Sequence, residues 1–238
     1  MKRRLPTQGA LVTVAVGVCL ATVAPKEAAV PAANVRIPET PEAVAAGKRI
    51  YAQRCWWCHG ADGHGDGPSA RQMFPRPRDL VRANYRIRTT PFGALPTDED
   101  LFRVLSRGMP GTPMPGWEKI LTEQELWQVL YYLKTLSPRF AEENPRPIDV
   151  PSEPPPTAES IARGEKIYRR ARCFLCHGNE GRGDGGVTNA LNFEWGLPFR
   201  ARDFTKSWTF KGGSTARDTF LRITTGLTGP PLGTYAEL

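Results

Sequence analysis

Gly47-Lys48-Arg49-Ile50-Tyr51-Ala52-Gln53-Arg54-Cys55-Trp56-Trp57-Cys58-His59 has a counterpart later in the chain, Gly164-Glu165-Lys166-Ile167-Tyr168-Arg169-Arg170-Ala171-Arg172-Cys173-Phe174-Leu175-Cys176-His177. Each copy ends in C-x-x-C-H, the attachment string of a covalent haem. Two thiols three positions apart can each form a thioether to a haem vinyl group, while the adjoining imidazole reaches the iron. The alternatives are a structural zinc site and a pair of redox thiols. Zinc ribbons keep their cysteine pairs about fifteen to twenty residues apart, whereas these pairs stand 118 positions apart. Redox thiols do not account for a histidine directly after both pairs. Cys55, Cys58, Cys173 and Cys176 are therefore read as attachment sites for two haems c, with His59 and His177 as the iron-binding imidazoles.

The repeat extends outward from these strings. Gly63, Gly65, Asp66 and Gly67 return as Gly181, Gly183, Asp184 and Gly185. Arg76-Pro77-Arg78-Asp79-Leu80 returns as Arg200-Ala201-Arg202-Asp203-Phe204, and Phe102 through Gly108 as Phe220 through Gly226. A chain of 238 residues is long enough for two domains of about 100 residues each. Between the copies, prolines 145, 147, 151, 154, 155 and 156 predict a stiff, extended linker. The layout read from the sequence is a leader or anchor over 1–33, one domain over 38–137, a linker over 138–156 and a second domain over 157–238.

Helix signals dominate both copies. Thr40 followed by Pro41 predicts the start of a helix running to the first motif, and Thr157 does the same for the second. Thr97 with Asp100, and Thr122 with Glu125, are capping pairs. The first opens a helix carrying Leu101, Val104 and Leu105 that stops at Gly108. The second opens one carrying Leu126, Val129, Leu130 and Leu133 that stops before Pro138. Strand patterns are absent, which predicts an all-α fold wrapped on its cofactors.

Lys2, Arg3 and Arg4 precede an uncharged apolar stretch from Ala10 to Ala24, the pattern of an export signal. The longer uncharged run from Leu5 to Pro25 is also long enough for an N-terminal membrane anchor. Cys19 lies in this stretch, after a Val18 bulkier than lipidation sites favour. The formal net charge is +8, or +5 without the three leading basic residues. This modest bias points to redox partners with acidic docking surfaces and not to nucleic acid. Arg76, Arg78, Arg82, Arg86 and Arg88 form the densest basic run. It reads as a solvated loop, the alternative being pairing with haem carboxylates or with an acidic partner.

With C-x-x-C-H after an amphipathic helix, a Gly111-Thr112-Pro113-Met114-Pro115-Gly116 loop and a closing helix, the chain resembles the class I cytochromes c, fully over 40–137 and partly over 157–238. The resemblance implies two tandem cytochrome c domains and a periplasmic, exported protein. It also implies that Met114 is the second axial ligand opposite His59. Met109 is the competing methionine, but it lies just past a helix stop, whereas Met114 is held between two prolines. Trp117, Trp127, Tyr131 and Tyr132 are expected to pack on the haem. In the second copy, Leu232 stands at the Met114 position and no Met or His follows His177, so its distal ligand is left open; Lys206 and Lys211 are among the residues that could fill it. The sequence also lacks a counterpart of the Thr122–Ser137 helix before residue 238, which leads to the expectation that the natural protein continues. Gly186 replaces Pro68, which in the family lies in the loop whose carbonyl orients the proximal histidine.

The leading function is passage of single electrons through two haems, without a bound substrate. His/Met ligation suits it, since a thioether favours ferrous iron and six-coordination excludes other ligands. One alternative is a peroxidase-like di-haem enzyme or ligand-binding protein with an open second haem, for which Arg222 or Tyr235 would have to serve on the distal face. The other is the cytochrome portion of a larger dehydrogenase-linked protein. His64, in a Gly-rich loop beside Asp66, reads as solvated.

Overall fold

The computed structural model describes residues 36–190, 200–227 and 233–236. Residues Val35–Leu238 cluster as one unit. The segment read as a leader or anchor, 1–33, and Leu232 lie outside the described residues. Eight α-helices and three short 3₁₀ turns are described: α1 Pro41–Arg54, α2 Trp56–His59, α3 Asp98–Arg107, α4 Glu123–Thr135, α5 Arg139–Glu142, α6 Ala158–Arg170, α7 Phe174–His177 and α8 Ala216–Thr225. No strand occurs among the described residues, and the fold is all-α as its sequence patterning predicts.

Local chemistry sets the helix starts. Thr40 accepts a hydrogen bond from Ala43 N at the head of α1, where Pro41 occupies the first position. Thr97 and Asp100, Thr122 and Glu125, and Thr215 and Asp218 exchange side-chain and backbone hydrogen bonds at the heads of α3, α4 and α8. Ser160 replaces the acid in the same arrangement on α6. Each such cap contributes about 1 kcal/mol.

The core lies in the first half. Tyr51, Leu80, Leu101, Phe102, Leu105, Leu126, Trp127, Leu130 and Leu133 belong to a single buried cluster where α1, α3 and α4 meet. The α1–α4 crossing depends on Gly47: a Cβ there would stand 1.9 Å from the Gln128 carbonyl oxygen. On α6 the matching Gly164 has nothing within 4 Å, and Ile161 and Ile167 beside it are exposed. Among the described residues of the second half, the buried apolar side chains are Ala201 and Leu221.

Three expectations need correction. The linker is not extended from its start: Pro138 caps α5, Arg139 pairs with Glu143 at 2.6 Å, and Phe140 packs on Tyr85. Farther on, Ile148 N donates to Thr89 O, so this stretch is laid along the first half. Trp127, Tyr131 and Tyr132 are helix-packing residues. Trp127 stacks on Phe102 at 4.6 Å, Tyr132 meets Tyr51 edge-on at 5.2 Å, and the Tyr131 hydroxyl donates to Ile37 O. Arg86 and Arg88 are not solvated; both are buried, Arg88 completely. Their neighbours supply the reason. Arg88 donates to the carbonyls of Tyr85, Pro91 and, from the second half, Thr225, so each guanidinium nitrogen finds an acceptor away from water.

Candidate functional site

α1 and α6 deliver the two C-x-x-C-H strings, and each string folds as a single helical turn, α2 or α7. The turn then reverses at a glycine with positive φ, Gly60 (83°) or Gly178 (78°), over which Asp66 or Asp184 is closely packed. A tyrosine ties each helix to its reversal: Tyr51 Oη donates to Gly60 O and Tyr168 Oη to Gly178 O, both at 2.6 Å. Gly65 N and Gly183 N each donate to the motif histidine's carbonyl at 2.8 Å. The repeated glycines and aspartates thus build the same turn twice.

His59 Nδ1 stands 3.1 Å from Arg78 O, and His177 Nδ1 stands 2.9 Å from Arg202 O. A carbonyl only accepts, so Nδ1 carries the proton in both rings and Nε2 keeps its lone pair for a metal. Burial pushes both imidazoles below their ordinary pKa, which also favours the neutral ligand form. The orienting carbonyl therefore belongs to the repeated Arg-x-Arg-Asp segment. It does not belong to the loop at Pro68 and Gly186, and that substitution leaves it in place. The repeat of Arg76–Asp79 in Arg200–Asp203 was the sequence signal for it.

None of the four motif cysteines is engaged in a disulfide. Burial pushes Cys55 up to about 12 and raises Cys58 and Cys173 as well. No group of three His, Cys, Asp or Glu side chains converges among the described residues.

Both strings open into one continuous cavity of about 840 Å³, toward the upper end for cofactor sites. Cys55, Cys58 and His59 line it from one half, and Cys173, Cys176 and His177 from the other. Met114, Met109 and Met73 line it too, as do Trp117 and Tyr235. The Met114 loop is held locally: Met114 N donates to Thr112 Oγ1 and Met109 N to Met114 O. Trp117 N donates to Leu105 O, and Tyr235 N to Ile223 O in the same register, so Tyr235 is the second half's counterpart of Trp117. His64 is exposed, 3.8 Å from Asp79, and lies away from the cavity lining.

Residues 44–137 match the family model for cytochrome c. That stretch is a cytochrome c domain. Over 148 residues the chain is 28% identical to the Cbb3-type cytochrome c oxidase subunit CcoP of Azospirillum sp. (strain B510), covering 59% of this chain and 41% of that protein. Over 38 residues it is 55% identical to cytochrome c55X of Paracoccus denitrificans (strain Pd 1222), covering 16% of this chain and 37% of that one. The chain thus spans about two-fifths of the length of the curated relatives it matches. A chain of the Kuenenia stuttgartiensis reducing HAO-like protein complex superposes with a TM-score of 0.76 at 40% identity, over 85% of this chain and 91% of that one. Haem c is the family's cofactor, and haem-based electron transfer its chemistry.

The residues present fit that group. Trp117 Nε1 and Arg222 Nε are buried without a hydrogen-bond partner and belong to residues lining the cavity. A buried, unpaired donor costs about 1–3 kcal/mol, and haem carboxylates are acceptors that would relieve it.

Proposed function

We propose that this chain is a periplasmic electron-transfer protein built as two tandem haem domains, passing single electrons through two covalently attached haems c. Cys55 and Cys58 would hold the first haem and Cys173 and Cys176 the second. His59 and Met114 would be the axial ligands of the first iron, with His177 proximal at the second. The observation carrying this reading is the pair of histidines on one cavity, each with Nδ1 fixed to a backbone carbonyl and Nε2 left for iron. When bound, haem supplies one-electron redox chemistry. The protein's own residues fix the imidazole tautomer and bring the two attachment sites to one cavity.

The likeness to a chain of an HAO-like protein complex supports a place beside a larger redox enzyme, exchanging electrons across a protein interface. The basic balance of the chain favours acidic docking surfaces on such partners. Against the peroxidase-like alternative, Arg222 already donates both terminal nitrogens to the carbonyls of Arg86 and Arg88, so it is not poised to act on a substrate. The test begins with a haem count on the intact protein by alkaline pyridine spectrum, which should give two haems per chain that acid–acetone does not extract. Met114→Ala should then abolish the near-infrared thioether-to-iron band, while Met109→Ala leaves it. One haem per chain, or a band lost only in Met109→Ala, overturns the assignment. Sustained peroxide turnover would favour the enzyme reading.

A further inference from the structure

The wall of the shared cavity has a one-sided charge. Nine basic side chains line it and no carboxylate does among its described lining residues; four of the nine are exposed, while Arg78, Arg86, Arg202, Lys211 and Arg222 are half-buried or buried. Lys211 comes from the second half. Burial first, and then the like charges of Arg86, Arg202 and Arg78, depress it to about 8. Arg222, on α8, reaches across to the first half, donating to Arg86 O at 2.6 Å and Arg88 O at 2.9 Å. Its Nε remains buried and unpaired, as does Trp117 Nε1 from the first half. Cations do not gather in a low-dielectric space without a counter-charge, because desolvation and mutual repulsion both oppose it.

We infer that Lys211 and Arg222 of the second half, with Trp117 of the first, form one anion chamber that holds the propionate carboxylates of both haems. This rests on the two-haem reading and adds to it a cross-half binding site. A cation held against a haem carboxylate raises the haem's potential by stabilising the reduced form, since net charge and hydrogen bonding near the group set that potential. Because the chamber is shared, the charge of Lys211 acts on both haems. Lys211 and Arg222 are positioning residues for the cofactors and do not bind iron.

The experiment is a spectroelectrochemical titration of the holoprotein, Lys211→Met and Lys211→Arg, after a haem count on each sample. Lys211→Met should lower both midpoint potentials, with the reduced-to-oxidised ratio at fixed potential falling about tenfold, equivalent to 59 mV for one electron. Lys211→Arg should stay close to the native values. Unchanged potentials in Lys211→Met, or a shift in one haem alone, overturns the shared chamber. So does a high-spin, carbon monoxide-binding haem in that variant, which would make Lys211 an iron ligand. Should Lys211→Met fail to keep its haems, reduced-minus-oxidised infrared spectra of the native protein serve instead: propionate bands must shift on deuteration of the N–H donors, and insensitive bands sink the inference. A count of one haem would instead defeat the two-haem reading itself.

Discussion

A methyl group at position 47 would collide with the Gln128 carbonyl oxygen at 1.9 Å, and the obstacle is helix backbone, which cannot swing aside as a side chain could. Gly47→Ala should therefore destabilise the protein by about 2 kcal/mol, in the range of overpacked cores. The same substitution at Gly164 meets no protein atom within 4 Å, on a part of α6 that lines the cavity. There the relief of glycine's backbone entropy should leave stability unchanged or raise it by up to about 1 kcal/mol. Denaturant melts of the two variants, side by side, check the pair. Equal losses at both sites would show that the two helices meet equivalent neighbours.

At the scale of single elements, the caps carry two expectations. The backbone N–H of Thr122 first, then the Thr122 hydroxyl, hold the Glu125 carboxyl below its ordinary pKa. A depressed carboxylate contributes stability that is present above its unfolded pKa of 4.5 and is lost as pH falls below it. This carboxyl is largely exposed, so its share stays under about 1 kcal/mol. Melts of native protein and Glu125→Gln should differ at pH 6 and converge near pH 3. Asp100 is different in degree, since its Oδ2 accepts from Thr89 N, Thr89 Oγ1 and Thr97 N while buried. Asp100→Ala should cost more than about 2 kcal/mol by stranding those donors, read from the denaturant midpoint. The caps at Thr40, Thr97, Thr122 and Thr157 were legible in the sequence because they are local, each decided within four residues. Both histidines and all four cysteines were legible for the same reason. What stayed hidden was long-range. That the Arg78 and Arg202 carbonyls would orient the imidazoles depends on residues 19 and 25 positions away. The burial of Arg88 depends on acceptors that only the folded backbone supplies, among them one more than 130 residues distant.

Over the molecule as a whole, Arg88 joins the halves through Thr225 O and Arg222 through the carbonyls of Arg86 and Arg88, with Arg103 paired to Asp218 at 3.1 Å nearby. Arg88→Met removes one strand of this seam and strands three carbonyls, costing about 3 kcal/mol. It should split a single thermal transition into two and speed proteolytic cleavage over 149–157, while Arg82→Met, whose side chain is exposed, should do neither. The uneven placement of buried apolar side chains has a consequence in time as well as in space. A chain is made from its N-terminus, and units generally fold as they emerge. The whole α1–α3–α4 cluster precedes α6 in the chain, so the first half emerges first on the far side of an export channel and can begin to settle while the second is still arriving. The later half, with Leu221 as its one large buried apolar side chain among the described residues, then arrives at a finished surface and takes its shape from it. The expected order of folding is accordingly directional, with the earlier half the mould and the later one the casting.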